Sequence, residues 1–211
     1  MSPSAQPAAA PSPSDALLAA ASAVPIDLDA LRAALAAGAR PDARDGAQRT
    51  PLLLASLADD VPAAQALLDA GASPDALDDS RQTPWLVTGV TGSVAMLEAL
   101  LPYKPDMGIR NRYGGVSVIP AAERGHVEYV RRVVRTGINV DHVNDLGWTA
   151  MLETVILGDG GERHVEILKI LLAAGADPGI RDKDGVSALK HARDKGYTEM
   201  VTVLQAVGAP E

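Results

Sequence analysis

The sequence predicts an all-α repeat solenoid, made of helix-turn-helix units that stack side by side and are joined by β-hairpin-like loops. Two markers recur along its 211 residues with one shared period. The first is a threonine-type residue before a short helix, spaced by 33 residues three times and then by 38: Thr50, Thr83, Val116, Thr149 and Ser187. The second is a glycine after a longer helix, spaced by 33, 66, 38 and 33 residues: Gly38, Gly71, Gly137, Gly175 and Gly208. Two markers that share one period and one anomaly indicate stacked repeats.

The composition supports close helix packing. The chain has no Phe and only 3% aromatic residues, so its core is predicted to consist of Ala, Leu and Val. The absence of Cys excludes disulfides, thiolate nucleophiles and cysteine-based metal sites. A net charge of −8 argues against nucleic acid as a partner, because phosphate binding requires a basic surface.

The first element is a Pro/Ala/Ser-rich stretch, residues 1–13, which is interpreted as a flexible tail. It lacks the basic start and apolar middle of a signal peptide, and no apolar run reaches the length of a membrane span. The sequence leaves the compartment open. A cytoplasmic location is our expectation, with export to the periplasm as the alternative if a signal peptide has been removed.

A single repeat domain is predicted to follow, over residues 14–211. Within each unit a threonine caps the first helix, often before a proline, and a glycine ends the second helix in a left-handed conformation. The predicted units are a degenerate N-terminal cap and five further units: 14–42, 43–75, 76–108, 109–141, 142–179 and 180–211. The glycine-rich stretch at 159–163 is interpreted as an insertion in a turn, because it lacks the pattern of a phosphate loop or a calcium loop.

The unit at 109–141 and its predecessor depart from the pattern. Lys104 stands where the C-terminal turn glycine is expected, and Val116 stands at the capping position. Since valine cannot cap a helix, we expect Ser117 to cap it with a shifted start. Trp85, at an inward position, is predicted to lie in the core.

The stretches "TPLLLAS" (51–56 with Thr50), "AAERGHVEYVRRVVRTGINVD" (121–141) and "HVEILKILLAAGADPGIRDKDGVSAL" (164–189) resemble ankyrin repeats. The resemblance covers residues 14–211, nearly the whole chain. It implies a non-enzymatic scaffold that binds a protein partner, of unknown identity, on a concave face formed by loop tips and first helices. The same resemblance implies neither cofactor nor membrane insertion, and a monomer is favoured.

Carried over position by position, the resemblance places seven residues in the partner contact: Arg112, Tyr113, Glu123, Arg124, Asp145, Leu146 and Trp148. Tyr113 and Trp148 stand out because the chain is poor in aromatics and interface hot spots favour Trp, Tyr and Arg. The alternative for Trp148 is that it covers its own loop. The sequence leaves both interpretations open.

Glu153 and His191 occupy equivalent positions of consecutive units, on the normally buried side of the first helix. We therefore expect a hydrogen bond or ion pair between them, as a structural polar tie. The alternative function is a small-molecule or catalytic site around Glu153, His191 and the loop 158–163. The sequence contains no evident nucleophile or metal-ligand set to complete such a site.

Overall fold

The computed structural model describes residues 10–211, and this part of the chain contains twelve α-helices. Two short 3-10 turns, Leu101–Tyr103 and Val134–Thr136, extend the helices before them. The helices are α1 Pro13–Ser22, α2 Leu28–Ala36, α3 Pro51–Leu57, α4 Val61–Asp69, α5 Pro84–Thr91, α6 Val94–Leu100, α7 Val118–Glu123, α8 Val127–Val133, α9 Ala150–Ile156, α10 Glu162–Ala173, α11 Ala188–Asp194 and α12 Thr198–Ala206.

The helices form six antiparallel pairs that stack in chain order. Each odd-numbered helix packs on the next odd-numbered helix, and each even-numbered helix packs on the next even-numbered one. The predicted all-α repeat solenoid is confirmed. Among the described residues the only β-type pairing is an isolated bridge between Arg181 and Ser187, so the hairpin-like loops contain no strands.

The capping threonines behave as their sequence position predicts. The hydroxyl oxygens of Thr50, Thr83 and Thr149 each accept a hydrogen bond from the backbone N–H three residues later, at 3.0–3.2 Å. Ser187 does the same at 3.1 Å. The first helix begins at Pro13, inside the segment predicted as a tail, while residues 1–9 of that segment lie outside the described residues.

The loops between successive units, which we call finger loops, are residues 45–49, 78–82, 111–115, 144–148 and 182–186. Each begins with Asp or Asn, whose Oδ1 accepts two backbone N–H groups further along the loop at 2.8–3.0 Å. Asp and Asn side chains favour such turns because they mimic the backbone carbonyl of a turn. One side chain therefore fixes the shape of each finger loop: Asp45, Asp78, Asn111, Asn144 or Asp182.

The core is made of Leu, Ala and Val with two large aromatic residues, Trp85 and Tyr129. Trp85 is fully buried, as predicted. The hydroxyl groups of Tyr129 and Thr88 are 2.7 Å apart and hydrogen-bonded, which joins the second helix of one unit to the first helix of the preceding unit. Burial raises the pKa of Tyr129 to about 12, so the phenol is neutral at physiological pH.

The insertion at 159–163 is an ordered turn that partly joins α10. Glu162 and Arg163 are helical and lengthen α10 to 12 residues. The Oδ1 atom of Asp159 accepts a hydrogen bond from the Gly161 N–H at 2.9 Å and lies 2.7 Å from Nδ1 of His164. His164 also contacts the Glu123 carbonyl oxygen at 2.9 Å through Nε2, so the insertion is anchored to the preceding unit.

Lys104 takes the place of the turn glycine in backbone conformation as well as in sequence. Its φ of 54° is left-handed, as are those of Gly71 and Gly137 at the equivalent positions. A non-glycine residue in this region carries a conformational cost. The turn at Lys104 therefore has the same left-handed backbone as the other units, at the cost of local strain.

The shifted start of α7 is confirmed, but Ser117 does not cap it. The helix begins at Val118, and the Ser117 backbone is itself helical, with no hydrogen bond from its side chain to the first turn. An N-cap residue that accepts such a bond has a non-helical backbone, which is typically extended. The helical backbone of Ser117 instead directs its carbonyl group toward Gly89 of α5.

We predict that Gly89→Ala destabilises the protein by more than about 2 kcal/mol. A Cβ at this position would lie 2.7 Å from the carbonyl carbon of Ser117 and closer still to its oxygen, so backbone would have to move. The measurement is the free energy of unfolding from urea denaturation followed by circular dichroism. Gly46→Ala is the matched control, because a Cβ there meets nothing within 4 Å. Equal unfolding free energies for the two variants would contradict the close approach.

Candidate functional site

A pocket of about 480 Å³ lies between the finger loops and the first helices α5, α7 and α9. This is the side of the molecule for which the sequence predicts a concave binding face. The residues that line it are Gln82, Val90, Asn111, Arg112, Tyr113, Gly115, Ile119, Pro120, Glu123, Arg124, Asn144, Leu146, Glu153 and Leu157.

Five of the seven predicted contact residues line this pocket: Arg112, Tyr113, Glu123, Arg124 and Leu146. The other two do not. Asp145 lies beside the pocket in the same finger loop, where its N–H donates to the Tyr113 carbonyl oxygen at 2.9 Å. Trp148 is partly buried and packs against the hydrophobic core, which favours the alternative that it covers its own loop.

Gly115 lines the pocket without contributing a side chain to it. The residue immediately before the capping position is Gln82 in the preceding unit and Trp148 in the following one, whereas Gly115 has no side chain to fill the gap. A Cβ built on Gly115 meets only ordinary contacts, 3.5 Å from the Asn111 side chain. Gly115 therefore keeps the pocket open without being required by the backbone.

The rim of the pocket is apolar and accessible. The exposed fractions are 54% for Tyr113, 48% for Leu146 and 48% for Leu157, which are among the few large apolar side chains exposed in the described chain. Clustered exposed apolar residues next to polar groups are typical of binding surfaces. The Ile119 side chain and Pro120 continue this apolar wall inward.

The two arginines of the pocket are already engaged. The Arg112 guanidinium lies over the Tyr113 ring, 4.8 Å from its centroid. Arg124 is paired with Glu123 at 3.0 Å and donates to the Pro120 carbonyl oxygen at 3.3 Å. The Arg124 charge is therefore paired with a carboxylate, whereas the Arg112 charge packs on a neutral ring.

Glu153 is the buried polar residue of the pocket, with only 6% of the residue exposed. The Asn144 side chain donates a hydrogen bond from Nδ2 to Oε1 of Glu153 at 2.8 Å. Burial raises the pKa of the Glu153 carboxyl to about 7, and the nearby Glu123 carboxylate adds to the rise. The Asn144 hydrogen bond and the charge of Arg124 oppose it. This carboxyl group therefore changes charge near neutral pH.

The predicted hydrogen bond between Glu153 and His191 is wrong. His191 donates from Nε2 to Oδ2 of Asp182 at 2.7 Å, and Glu153 pairs with Asn144. Each residue thus binds the side chain at the start of its own finger loop, nine residues earlier. The sequence signal for these partners was the repeated nine-residue spacing from Asn144 to Glu153 and from Asp182 to His191, not the equivalence of positions between units.

The pieces of the alternative catalytic site are not brought together. Of Glu153, His191 and the loop 158–163, only Glu153 lines the pocket. The loop packs instead against the next unit, where the Tyr197 hydroxyl donates to the Gly158 carbonyl oxygen at 2.9 Å. Within residues 10–211 the His, Asp and Glu side chains form no cluster suited to a metal ion. The described helices include none that is long and apolar enough to span a membrane.

Comparisons with known proteins agree with this architecture. A family model of three ankyrin repeats matches residues 88–182, and a single-repeat model matches residues 48–79. The crystal structure of an ankyrin repeat domain from Acinetobacter baumannii AYE is 43% identical, with a TM-score of 0.86, and the match covers 92% of this chain and 97% of that one. The chain belongs to the ankyrin repeat family.

Two further relatives are more distant or only partly matched. The ankyrin repeat domain of Bcl-3, described as a unique member of the IkappaB protein family, is 27% identical with a TM-score of 0.82, over 92% of this chain and 86% of that one. The putative ankyrin repeat protein YahD of Escherichia coli strain K12 is 42% identical over 111 residues. That match spans 52% of this chain and about half, 55%, of YahD. Ankyrin repeats are in general protein–protein interaction modules, and the fold family is typically non-enzymatic.

We predict that Glu153→Gln stabilises the protein at pH 8 and has little effect at pH 5. The folded-state pKa near 7 lies above that of an unfolded glutamate, so the folded chain holds a proton that the unfolded chain releases. The free energy of unfolding is therefore highest below the pKa that Glu153 has in the unfolded chain. It falls by about 2–3 kcal/mol in total as pH rises toward 7. Glutamine keeps the acceptor for Asn144 and removes this loss. The measurement is the free energy of unfolding from urea titrations between pH 5 and 8.

Glu128→Gln is the matched control, since the Glu128 side chain is 75% exposed and lies outside the pocket. Its unfolding free energy is expected to follow the wild-type pH dependence. Parallel curves for wild type and Glu153→Gln would show that the Glu153 carboxyl does not titrate in this range.

Proposed function

We propose that this ankyrin repeat chain is a non-enzymatic scaffold that binds a protein partner through the finger loops and first helices of its central units. The contact set is Arg112, Tyr113, Glu123, Arg124, Asp145, Leu146 and Trp148. The observation that carries the proposal is the pocket rimmed by exposed Tyr113 and Leu146, since an accessible apolar rim around a concave site favours macromolecular binding.

The distribution of roles within this set follows from burial. Tyr113 and Leu146 present accessible apolar area and would bury most surface on binding. Glu123 and Arg124 form a paired polar edge, which contributes to specificity more than to affinity. Asp145 and Trp148 hold the finger loop in place through the backbone hydrogen bond to Tyr113 and the contact with the core.

The chain as a whole carries a net charge of −8, whereas the four charged residues that line the pocket balance in sign when Glu153 is ionised: Arg112, Glu123, Arg124 and Glu153. Contacts inside the pocket therefore select the partner more than long-range attraction does. The proposed scaffold acts as a monomer and uses no cofactor.

We predict that Tyr113→Ala combined with Leu146→Ala reduces retention of the specific partner at least about tenfold, since a single aromatic hot spot is worth about 2 kcal/mol. The measurement is a quantitative pull-down from the source organism, with captured proteins identified by mass spectrometry. Both side chains are half exposed, so folding should be preserved, which circular dichroism verifies.

Val24→Ala combined with Val207→Ala is the matched control. These side chains are 98% and 51% exposed and do not line the pocket. The control is expected to retain every partner that wild type retains. If the Tyr113 and Leu146 double variant also retains all of them, the proposed contact face is wrong.

A further inference from the structure

The pocket combines an apolar wall with an acidic floor. Tyr113, Leu146 and Leu157 form the accessible rim, and Glu153 lies at the buried end. A ligand that fits both parts has an apolar stem and a charged tip. Among amino-acid side chains, only arginine and lysine combine a methylene stem with a positive head.

Two acceptors of the pocket have no protein donor in the described part of the chain. Glu153 receives one protein hydrogen bond, at Oε1, and within residues 10–211 no protein donor reaches its second oxygen. The amide oxygen of Gln82, another lining residue, is likewise without a donor in the described chain. The Arg124 guanidinium is used by Glu123 and by the Pro120 carbonyl oxygen, and the Arg112 guanidinium lies over the Tyr113 ring. The end of the pocket at Glu153 and Gln82 therefore accepts a donor-rich group.

We propose that this pocket binds an arginine side chain of a protein partner, with the guanidinium paired to the Glu153 carboxylate and the stem packed against Tyr113, Leu146 and Leu157. This inference rests on the proposed function and specifies the chemistry of the partner. Guanidinium suits the site because it offers five donors in a plane, whose faces also pack against aromatic and apolar side chains.

Binding of this kind is coupled to protonation. A guanidinium pairs only with the ionised form of Glu153, whose pKa lies near 7 in the free protein. On the helix packed against it, Glu123 and Arg124 act on this carboxyl with opposite signs. On α10 and α11, three titratable side chains are bound by aspartates: His164 by Asp159, His191 by Asp182 and Lys190 by Asp194. Affinity should therefore rise with pH through the Glu153 titration.

The probe is Nα-acetyl-arginine amide, added to the ¹⁵N-labelled full chain and followed by chemical-shift changes at Asn111, Gly115 and Leu146. The expected result is saturable binding that is about tenfold tighter at pH 8 than at pH 6, because the ionised fraction of a group with pKa 7 changes about tenfold over this range. Nα-acetyl-citrulline amide, a neutral analogue of similar shape, should bind at least about fivefold more weakly at pH 8. Equal binding of the two probes, or an affinity that does not change with pH, would overturn the proposal.

Two variants test separately the charge of Glu153 and the open space beside Gly115. Glu153→Gln should weaken arginine binding at least about fivefold and abolish its pH dependence, because it keeps the shape and removes the charge. Gly115→Gln, which introduces the residue of the preceding unit, should block the pocket while leaving the Glu153 titration in place. Glu128→Gln should bind like wild type. Wild-type affinity in either pocket variant contradicts the proposed site.

The partner assay distinguishes this inference from the proposed function. If the Tyr113 and Leu146 double variant loses the partner and Glu153→Gln retains it at wild-type level, the contact face is supported and the arginine pocket is wrong. If the partner is lost in both and replacement of its arginines by glutamine reproduces the loss, the pocket assignment is supported. Retention in both variants overturns the contact face and the arginine pocket together.

Discussion

Every finger loop of this protein depends on one side-chain oxygen. The Oδ1 atom of the Asp or Asn that opens the loop accepts two backbone N–H groups, and this fixes the loop before any partner arrives. The other terminal atom of the same side chain can then bind a side chain of the first helix, and its identity decides whether that partner is an acceptor or a donor. Asn144 presents a donor and pairs with Glu153, whereas Asp182 presents an acceptor and pairs with His191. Loop geometry and the chemistry of the first-helix surface are therefore linked within each unit.

This link explains how a carboxyl group comes to lie in an otherwise apolar position. The residues equivalent to Glu153 in the three preceding units are Leu54, Val87 and Pro120. The Asn144 hydrogen bond satisfies one carboxyl oxygen but does not offset the lost hydration, so the pKa of Glu153 remains raised to about 7. The protein thus gives up stability above neutral pH at a position that faces a pocket. Local costs of this type concentrate at functional sites.

The sequence predicts the architecture well because the repeat period reports backbone geometry. Caps such as Thr50 and Thr149, and turn residues such as Gly137, act through bonds within one unit, so their spacing is sufficient to predict them. The wrong prediction concerns side chains that choose between partners. Equivalence of position suggested that Glu153 and His191 meet, but each has a closer partner in its own finger loop. For Trp148, which packs partly against the core, the sequence left two interpretations open because the period alone gives no side-chain direction.

The departures from the repeat pattern fall close together in the sequence. Lys104 holds a left-handed turn without glycine, α7 begins late and without a side-chain cap, and Gly115 leaves empty the place that Gln82 and Trp148 fill in the adjacent units. Pro120 is tolerated in α7 because the first turn of a helix has no intrahelical acceptor for its missing N–H. Of these departures, Gly115 and the α7 residues Ile119 and Pro120 line the pocket, whereas Lys104 does not. The irregular start of the 109–141 unit therefore shapes the pocket wall, and the stacked units on either side support it.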